Sequence, residues 1–428
     1  MNLNEQQQAA LEQMGTFLKG KERHFLLEGF AGTGKTFSVQ QFLLSARVKK
    51  LAIAAPTNKA VKVIRDFGKT TGLDGAHYAT VHRLLGLKAQ VDPDTGKQVF
   101  VPDPWNKTTL ENFDLVVIDE ASMVGKPLYD LVCRYMGKKT KIVWMGDPAQ
   151  LPPVGEKHSP VFSTSNRVLL TQIMRHGGSI QGAVNLVRDR IGKGVLPEFL
   201  SCNDGNEGVW SISKRQWLQR LETDFTSQSF KADSDFVRAV AWTNRVVDWG
   251  NNRIHRAIYG DDAKPFMPGQ RVVARDPVVD GEEILMTTSE EATVITAEPT
   301  TAKGLAAWEL KLEIETGTGS SIIYVHALDP SAEMSFQNEL ERLRARALSA
   351  TPRDKSSAWR AYYAYLQYFA PLGPIYWSTV HKAQGSTFTR CYVALGDVKR
   401  NPNRLERDRC IYTAYTRAAK QLVIPSGS

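Results

Sequence analysis

Eight residues near the N-terminus have the types and spacing to hold a polyphosphate. Gly29-Phe30-Ala31-Gly32-Thr33-Gly34-Lys35-Thr36 fits GxxxxGK[ST] and follows the apolar run HFLLE. The glycines let successive backbone N–H groups close around phosphate oxygens, and a helix starting at Lys35 adds the positive end of its dipole. Lys35 would reach the β and γ phosphates and Thr36 would hold magnesium. Asp119-Glu120 ends a second apolar run, DLVVI, so both carboxylates emerge at the edge of a strand where open α/β sheets bind ligands. Asp119 would complete the magnesium shell, and Glu120 would orient and deprotonate an attacking water. A third run, KIVWMGD, leads into Gly146-Asp147-Pro148-Ala149-Gln150 and carries the Gln150 amide towards the γ-phosphate, although this segment alone also reads as a structural turn. The implied ligands are ATP and Mg2+, and the implied chemistry is phosphoryl transfer to water.

Positioning these groups takes a parallel sheet. The runs HFLLEG, LAIAAP, DLVVIDE and KIVWMGD alternate with helical stretches such as NKAVKVIRDFG, a pattern of buried strands covered on both faces. An amphipathic helix over 3–20 opens the chain. Residues 88–105 break the rhythm with Asp-Thr-Gly between two short extended segments, which predicts an inserted hairpin. After Arg175 a second α/β pattern begins, marked by FVRAVAWTN at 236–244, and it resumes near the C-terminus as CYVALG, LERDRCIYTAYTRA and QLVI. Between its halves, 268–328 is rich in Val, Ile and Thr with spaced Gly, the pattern of a small β-barrel, and 331–370 is helical. Tyr362, Tyr365, Leu366 and Phe369 share one helical face, which predicts packing rather than ligand contact.

With 428 residues the chain suggests two to four compact units. A formal charge of +9 suits a polyanionic partner, though mild basicity also occurs without one. Cys133, Cys202, Cys391 and Cys410 lie far apart with no CxxC pair, which predicts reduced, metal-free interior roles. No signal-peptide pattern and no long apolar stretch occur, and the expected location is the cytoplasm of a bacterial cell or phage-infected host.

The phosphate loop, DEAS, GDPAQLPP, STVHKAQGSTF at 378–388 and IYTAYTRA at 411–418 follow one another in an order and spacing similar to superfamily 1 helicases, group B. The resemblance implies an α/β fold of two RecA-like P-loop domains: 1–86 with 106–174, and 175–267 with 373–428. It implies a hairpin pin at 87–105 in the first, and an SH3-like β-barrel with helices at 268–372 in the second. It implies adenine recognition by Gln7, and two arginines, Arg175 and Arg417, reaching the γ-phosphate from the second domain. An inserted guanidinium suits the charge spread over a transferred phosphoryl group.

The same resemblance implies an ATP-dependent 5′-3′ DNA helicase acting as a monomer on single-stranded DNA and duplex junctions. Single-strand-binding or replication proteins are the further partners it suggests, and no membrane is among them. Strand contacts fall on Thr57, Asn58, Thr80 and His82 in the first domain, and on Thr243, Asn244, Thr379, His381 and Lys382 in the second. Hydroxyl, amide and imidazole groups suit phosphates and read no sequence. Trp242 could stack on a base or pack in the core, and Phe100 could wedge a base pair or anchor the hairpin. One segment departs from the family: MTTSEEATV has Thr288-Ser289-Glu290 where relatives carry Asn-Gly, and no site is inferred there. A translocase that strips proteins from single strands would share every ATP-site residue, as would a passive nucleotide-switched binding protein.

Overall fold

Runs of four to six apolar residues with no exposed member become parallel strands, because only a sheet covered on both faces buries every side chain. The computed structural model describes residues 3–91, 98–102, 108–172, 178–194, 196, 199–281, 283–316 and 319–427. In chain order the first elements are α1 (Glu5–Lys19), β1 (His24–Gly29), α2 (Lys35–Ala46), β2 (Leu51–Ala55), α3 (Asn58–Thr71), β3 (His77–Thr80) and α4 (Val81–Leu84). The hairpin β4 (Leu87–Val91) and β5 (Gln98–Pro102) follows, then β6 (Leu115–Ile118), α5 (Lys126–Tyr135), β7 (Lys141–Gly146) and β8 (Arg167–Leu170). Six of these strands form one sheet in the order β3-β2-β6-β7-β1-β8, with every neighbouring pair parallel. The order sets β1, β7 and β6 side by side, so their three C-terminal ends share one edge. Phosphate loop, Gln150 turn and carboxylate pair therefore converge.

The next elements are α6 (Ser179–Arg190), β9 (Cys202–Asp204), β10 (Glu207–Ile212), α7 (Lys214–Thr226), α8 (Gln228–Ala232), β11 (Val237–Ala241) and α9 (Asn244–Tyr259). The strands β12 (Arg271–Ala274), β13 (Val278–Asp280), β14 (Glu283–Met286), β15 (Glu291–Ala302), β16 (Leu305–Thr316) and β17 (Gly319–Leu328) follow. Helices α10 (Glu333–Ser349) and α11 (Lys355–Leu366) and strand β18 (Leu372–Pro374) come next. The chain closes with β19 (Trp377–Thr379), α12 (Val380–Ala383), β20 (Phe388–Val393), α13 (Leu395–Val398), α14 (Arg404–Tyr415) and β21 (Ala418–Pro425). A second six-stranded sheet runs β19-β11-β20-β21-β10-β9, parallel from β11 to β10 and antiparallel at β9.

The chain divides into two compact units. Both six-stranded sheets lie in one, made of 1–87, 102–247 and 378–428; the other comprises 88–101 with 248–377. The fold is thus α/β, with a parallel-sheet P-loop domain and further sheets.

In the second unit, β17-β16-β15-β12-β18 form a five-stranded sheet whose described pairings are antiparallel. The aromatic face of α11 packs on α10 and on the β15–β16 tip. Phe336 stacks on Tyr365 at 5.4 Å and meets Phe369 edge-on at 5.6 Å, beside Ala302 and Ala307. At the departing segment, Ser289 itself takes a left-handed φ of 67°. The Glu290 carboxylate accepts from the Thr287 N–H and hydroxyl, both at 2.8 Å, and so closes the turn without an Asn-Gly pair. Among the described residues no helix is long and apolar enough to cross a membrane.

The second sheet carries a buried polar anchor. Asp224 on α7 accepts hydrogen bonds from Arg390 Nη1 and, at 2.6 Å, from the Tyr392 hydroxyl, both on β20. Removing the carboxylate strands a guanidinium and a phenol in low-dielectric surroundings. Asp224→Ala is expected to cost about 2–3 kcal/mol in chemical denaturation, with the slope against denaturant unchanged.

Candidate active site

The phosphate loop begins where β1 ends and closes at the first turn of α2. Gly34 has a φ of 80°, and a Cβ there would stand 2.5 Å from Gln7 Nε2, so only glycine fits. That amide belongs to α1. Asn4 and Gln7 cap this helix reciprocally, and the buried Gln7 donates to the Thr33 carbonyl at 3.1 Å. Gln7 therefore touches the loop, whereas its neighbour Gln6 grips Thr171 and Gln172 beyond β8. Lys35 Nζ donates to the Gly29 and Phe30 carbonyls at 2.7 and 3.1 Å, which holds its ammonium over the loop.

Asp119 and Glu120 leave β6 side by side, and the Glu120 N–H donates to Asp119 Oδ1 at 2.7 Å. Glu120 turns through a left-handed φ of 52°, an uncommon conformation for a residue with a side chain. Burial first, then the Asp119 charge, pushes the Glu120 carboxyl up to about 7, against the pull of Arg417 and Lys35. Burial likewise raises Asp119.

Opposite this edge stand groups from the second sheet. Arg417, only 5% exposed, donates to the Ser386 and Thr413 carbonyls and the Thr416 hydroxyl at 2.8 to 3.0 Å, and its field reaches Glu120. Gln384 Nε2 lies 3.2 Å from Ser122 Oγ, 3.3 Å from Gln150 Oε1 and 3.4 Å from the Leu151 carbonyl. A Cβ on Gly385 would sit 3.6 Å from Glu120 Oε1. Lys35, Asp119, Glu120, Gln150 and Arg417 are thus gathered in one cleft within a single compact unit. Arg175 falls outside the described residues.

The strand-contact candidates share another arrangement. Thr57, Thr80, Thr243 and Thr379 each cap a helix, accepting from the N–H groups of Ala60, Arg83, Val246 and Lys382 at 3.2 to 3.4 Å. Thr57 lies just past β2 and Thr80 ends β3, the end pair of the first sheet; Thr243 lies just past β11 and Thr379 ends β19, the end pair of the second. Two sheets therefore present the same device, a paired set of helix N-termini with Asn58, Asn244 and Lys382 exposed in the first turns. Asp397 fixes one member by accepting from the Trp242 and Thr243 N–H groups, both at 2.8 Å, and from the Thr243 hydroxyl. Burial lowers the pKa of both His82 and His381, which favours neutral rings. Trp242 is half-buried and packs against the second sheet's core. Phe100 lies on β5, and its side chain is outside the described residues.

Residues 2–194 match the AAA domain family, and 374–424 match the UvrD-like helicase C-terminal domain. The ATP-dependent DNA helicase Dda of Enterobacteria phage T4 is 24% identical over 422 residues, 92% of each chain. By these matches the chain resembles the superfamily 1 group B helicases. An uncharacterised protein of Acanthamoeba polyphaga mimivirus is 24% identical across 98% of this chain and 99% of its own. In fold, the chain is similar to a solved Pif1 helicase described for unwinding of forked duplex DNA, with a TM-score of 0.52 at 16% identity over 100% of this chain and 92% of that one.

Two participants were not singled out from sequence: Gln384 and Gly385. Both lie inside STVHKAQGSTF, so the signal was membership of that segment.

Glu120 also yields a test of its buried carboxyl. A carboxyl with a raised folded pKa stabilises the fold fully below its ordinary value of 4.5 and loses that contribution as pH climbs through about 7. In magnesium-free buffer without nucleotide, Glu120→Gln should therefore be more stable than the parent at pH 8, by about 1 kcal/mol or more, as measured by chemical denaturation. At pH 5 the gain should shrink.

Proposed function

We propose that this chain is an ATP-driven DNA helicase that moves 5′ to 3′ along single-stranded DNA and separates duplex DNA ahead of it. The observation that carries the reading is the split cleft: Lys35, Asp119, Glu120 and Gln150 on one sheet, faced by Arg417 and Gln384 from the other. The two parallel sheets are read as paired RecA-like motor domains, and the five-stranded antiparallel sheet as an SH3-like barrel. The phage relative, named as an ATP-dependent DNA helicase, supports the activity, and the group B resemblance supports the polarity.

ATP would lie in the cleft with its phosphates on the Gly29–Thr36 loop and its adenine near Gln7. Magnesium suits Thr36 and Asp119, since desolvation leaves that carboxylate in need of a cation, and when bound it neutralises phosphate charge. Glu120, poised near neutrality, accepts the proton of the attacking water. Gln150 senses the γ-phosphate, and Arg175 and Arg417 stabilise charge on the transferred group. Closure of the cleft is a ligand-biased equilibrium that hydrolysis releases. The threonine-capped N-termini of each sheet hold strand phosphates, so closure and opening step two grips along the strand. Phe100 and the β4–β5 hairpin are the proposed separating element at the junction, and one chain suffices because it supplies both sides of the cleft.

Two experiments follow. On duplexes with a single-stranded 5′ or 3′ tail, ATP-dependent strand release should require the 5′ tail; release only from the 3′ tail contradicts the polarity. Arg417→Ala should retain nucleotide affinity within a few-fold while turnover falls by about 10³-fold or more. Normal turnover in that variant would remove Arg417 from the mechanism.

A further inference from the structure

Tyr412 is a fully buried phenol in the cleft with no part in the mechanism so far, and its one oxygen joins the two sides. It donates to Asp147 Oδ2 at 2.7 Å and accepts from the Ala31 N–H at 3.3 Å. Burial and the Asp147 charge hold the phenol far above its usual range, so it keeps the proton it donates. Both partners matter. Ala31 lies inside the phosphate loop, where backbone N–H groups are the ligands for phosphate oxygens. Asp147 accepts from the Ala149 N–H at 2.9 Å and its carbonyl from the Gln150 N–H at 3.1 Å, so it shapes the turn that carries Gln150. Beside this contact the Arg188 guanidinium of α6 lies 4.1 Å from the centre of the Phe30 ring. The Phe30-Ala31 stretch is therefore held from the second sheet at two points.

We propose that Tyr412 is a positioning residue whose hydroxyl competes with the substrate's phosphates for the Ala31 N–H, so that filling the loop releases α14. The inference rests on the reading of this cleft as an ATP site. Arg417 follows α14 by two residues and Tyr412 by five, so a shift of this helix moves the guanidinium that faces Glu120. Loop occupancy is thereby converted into arginine placement. Asp147 retains its own turn bonds after release, which leaves Gln150 in place while α14 moves.

The test is Tyr412→Phe, which keeps the ring and deletes both hydrogen bonds. Without DNA, fluorescent mant-ADP and mant-ATP should bind roughly 2- to 10-fold tighter, the size expected for losing one competing neutral hydrogen bond. With saturating single-stranded DNA, KM for ATP and kcat should fall together, because an obstacle to binding and a link to Arg417 are lost at once. A merely structural role would loosen nucleotide binding instead, and unchanged or weaker binding overturns the proposal. Should the variant not fold, hydrogen–deuterium exchange on the parent chain decides: ADP should protect 29–36 and increase exchange in 411–417, whereas protection of both segments overturns it. Absence of mant-nucleotide binding by the parent chain would instead overturn the ATP-site reading itself.

Discussion

Two carboxyls set side by side away from water cannot both ionise unless cations face them. Asp119 and Glu120 are such a pair, and among the described residues of the first sheet Lys35 is the cation that acts on both. A further cation, Arg417, faces Glu120 from the opposite sheet, so the charge balance of the pair is shared across the cleft. The proposed closure would draw on that balance. The parallel order β6-β7-β1 makes this possible, because it delivers carboxylates, Gln150 turn and phosphate loop to one edge.

Among the described residues, two polar groups of that cleft each serve more than one partner. Gln384 reaches Ser122, Gln150 and Leu151; Tyr412 reaches Ala31 and Asp147. Such shared groups are sensitive to small displacements, since moving one partner unsatisfies another. Gln384 directly follows α12, whose cap is Thr379, so a group touching the Gln150 turn is one short helix from a proposed strand contact. The same short distance separates chemistry from grip on the first sheet, where the carboxylate strand β6 is the direct neighbour of β2, whose end leads into Thr57. The proposed nucleotide and strand sites are thus joined by secondary structure of a few residues rather than by a long path.

Legibility from sequence followed locality. The phosphate loop and Asp119-Glu120 could be read because an apolar run, a glycine pattern and a following helix lie together in the chain. Strand order, by contrast, depends on which buried runs pair, and β1 lies between β7 and β8, both remote from it in sequence. Gln384 and Tyr412 were illegible as individuals, because a buried polar residue acquires its role from partners on another sheet. Ser289 shows the opposite case: the missing Asn-Gly pair removed the sequence signal, while Glu290 supplied hydrogen bonds that close the turn. The threonine caps were legible as polar residues suited to phosphate, but their pairing on the end strands of both sheets required the topology.

The central claim is that nucleotide and strand bias one closure equilibrium, and thermodynamic reciprocity tests it most directly. Single-stranded oligonucleotide affinity would be measured with and without a non-hydrolysable ATP analogue, and analogue affinity with and without the oligonucleotide. The account predicts that each ligand changes the other's dissociation constant by the same factor, roughly 5- to 150-fold. Affinities that remain equal in both directions would contradict it.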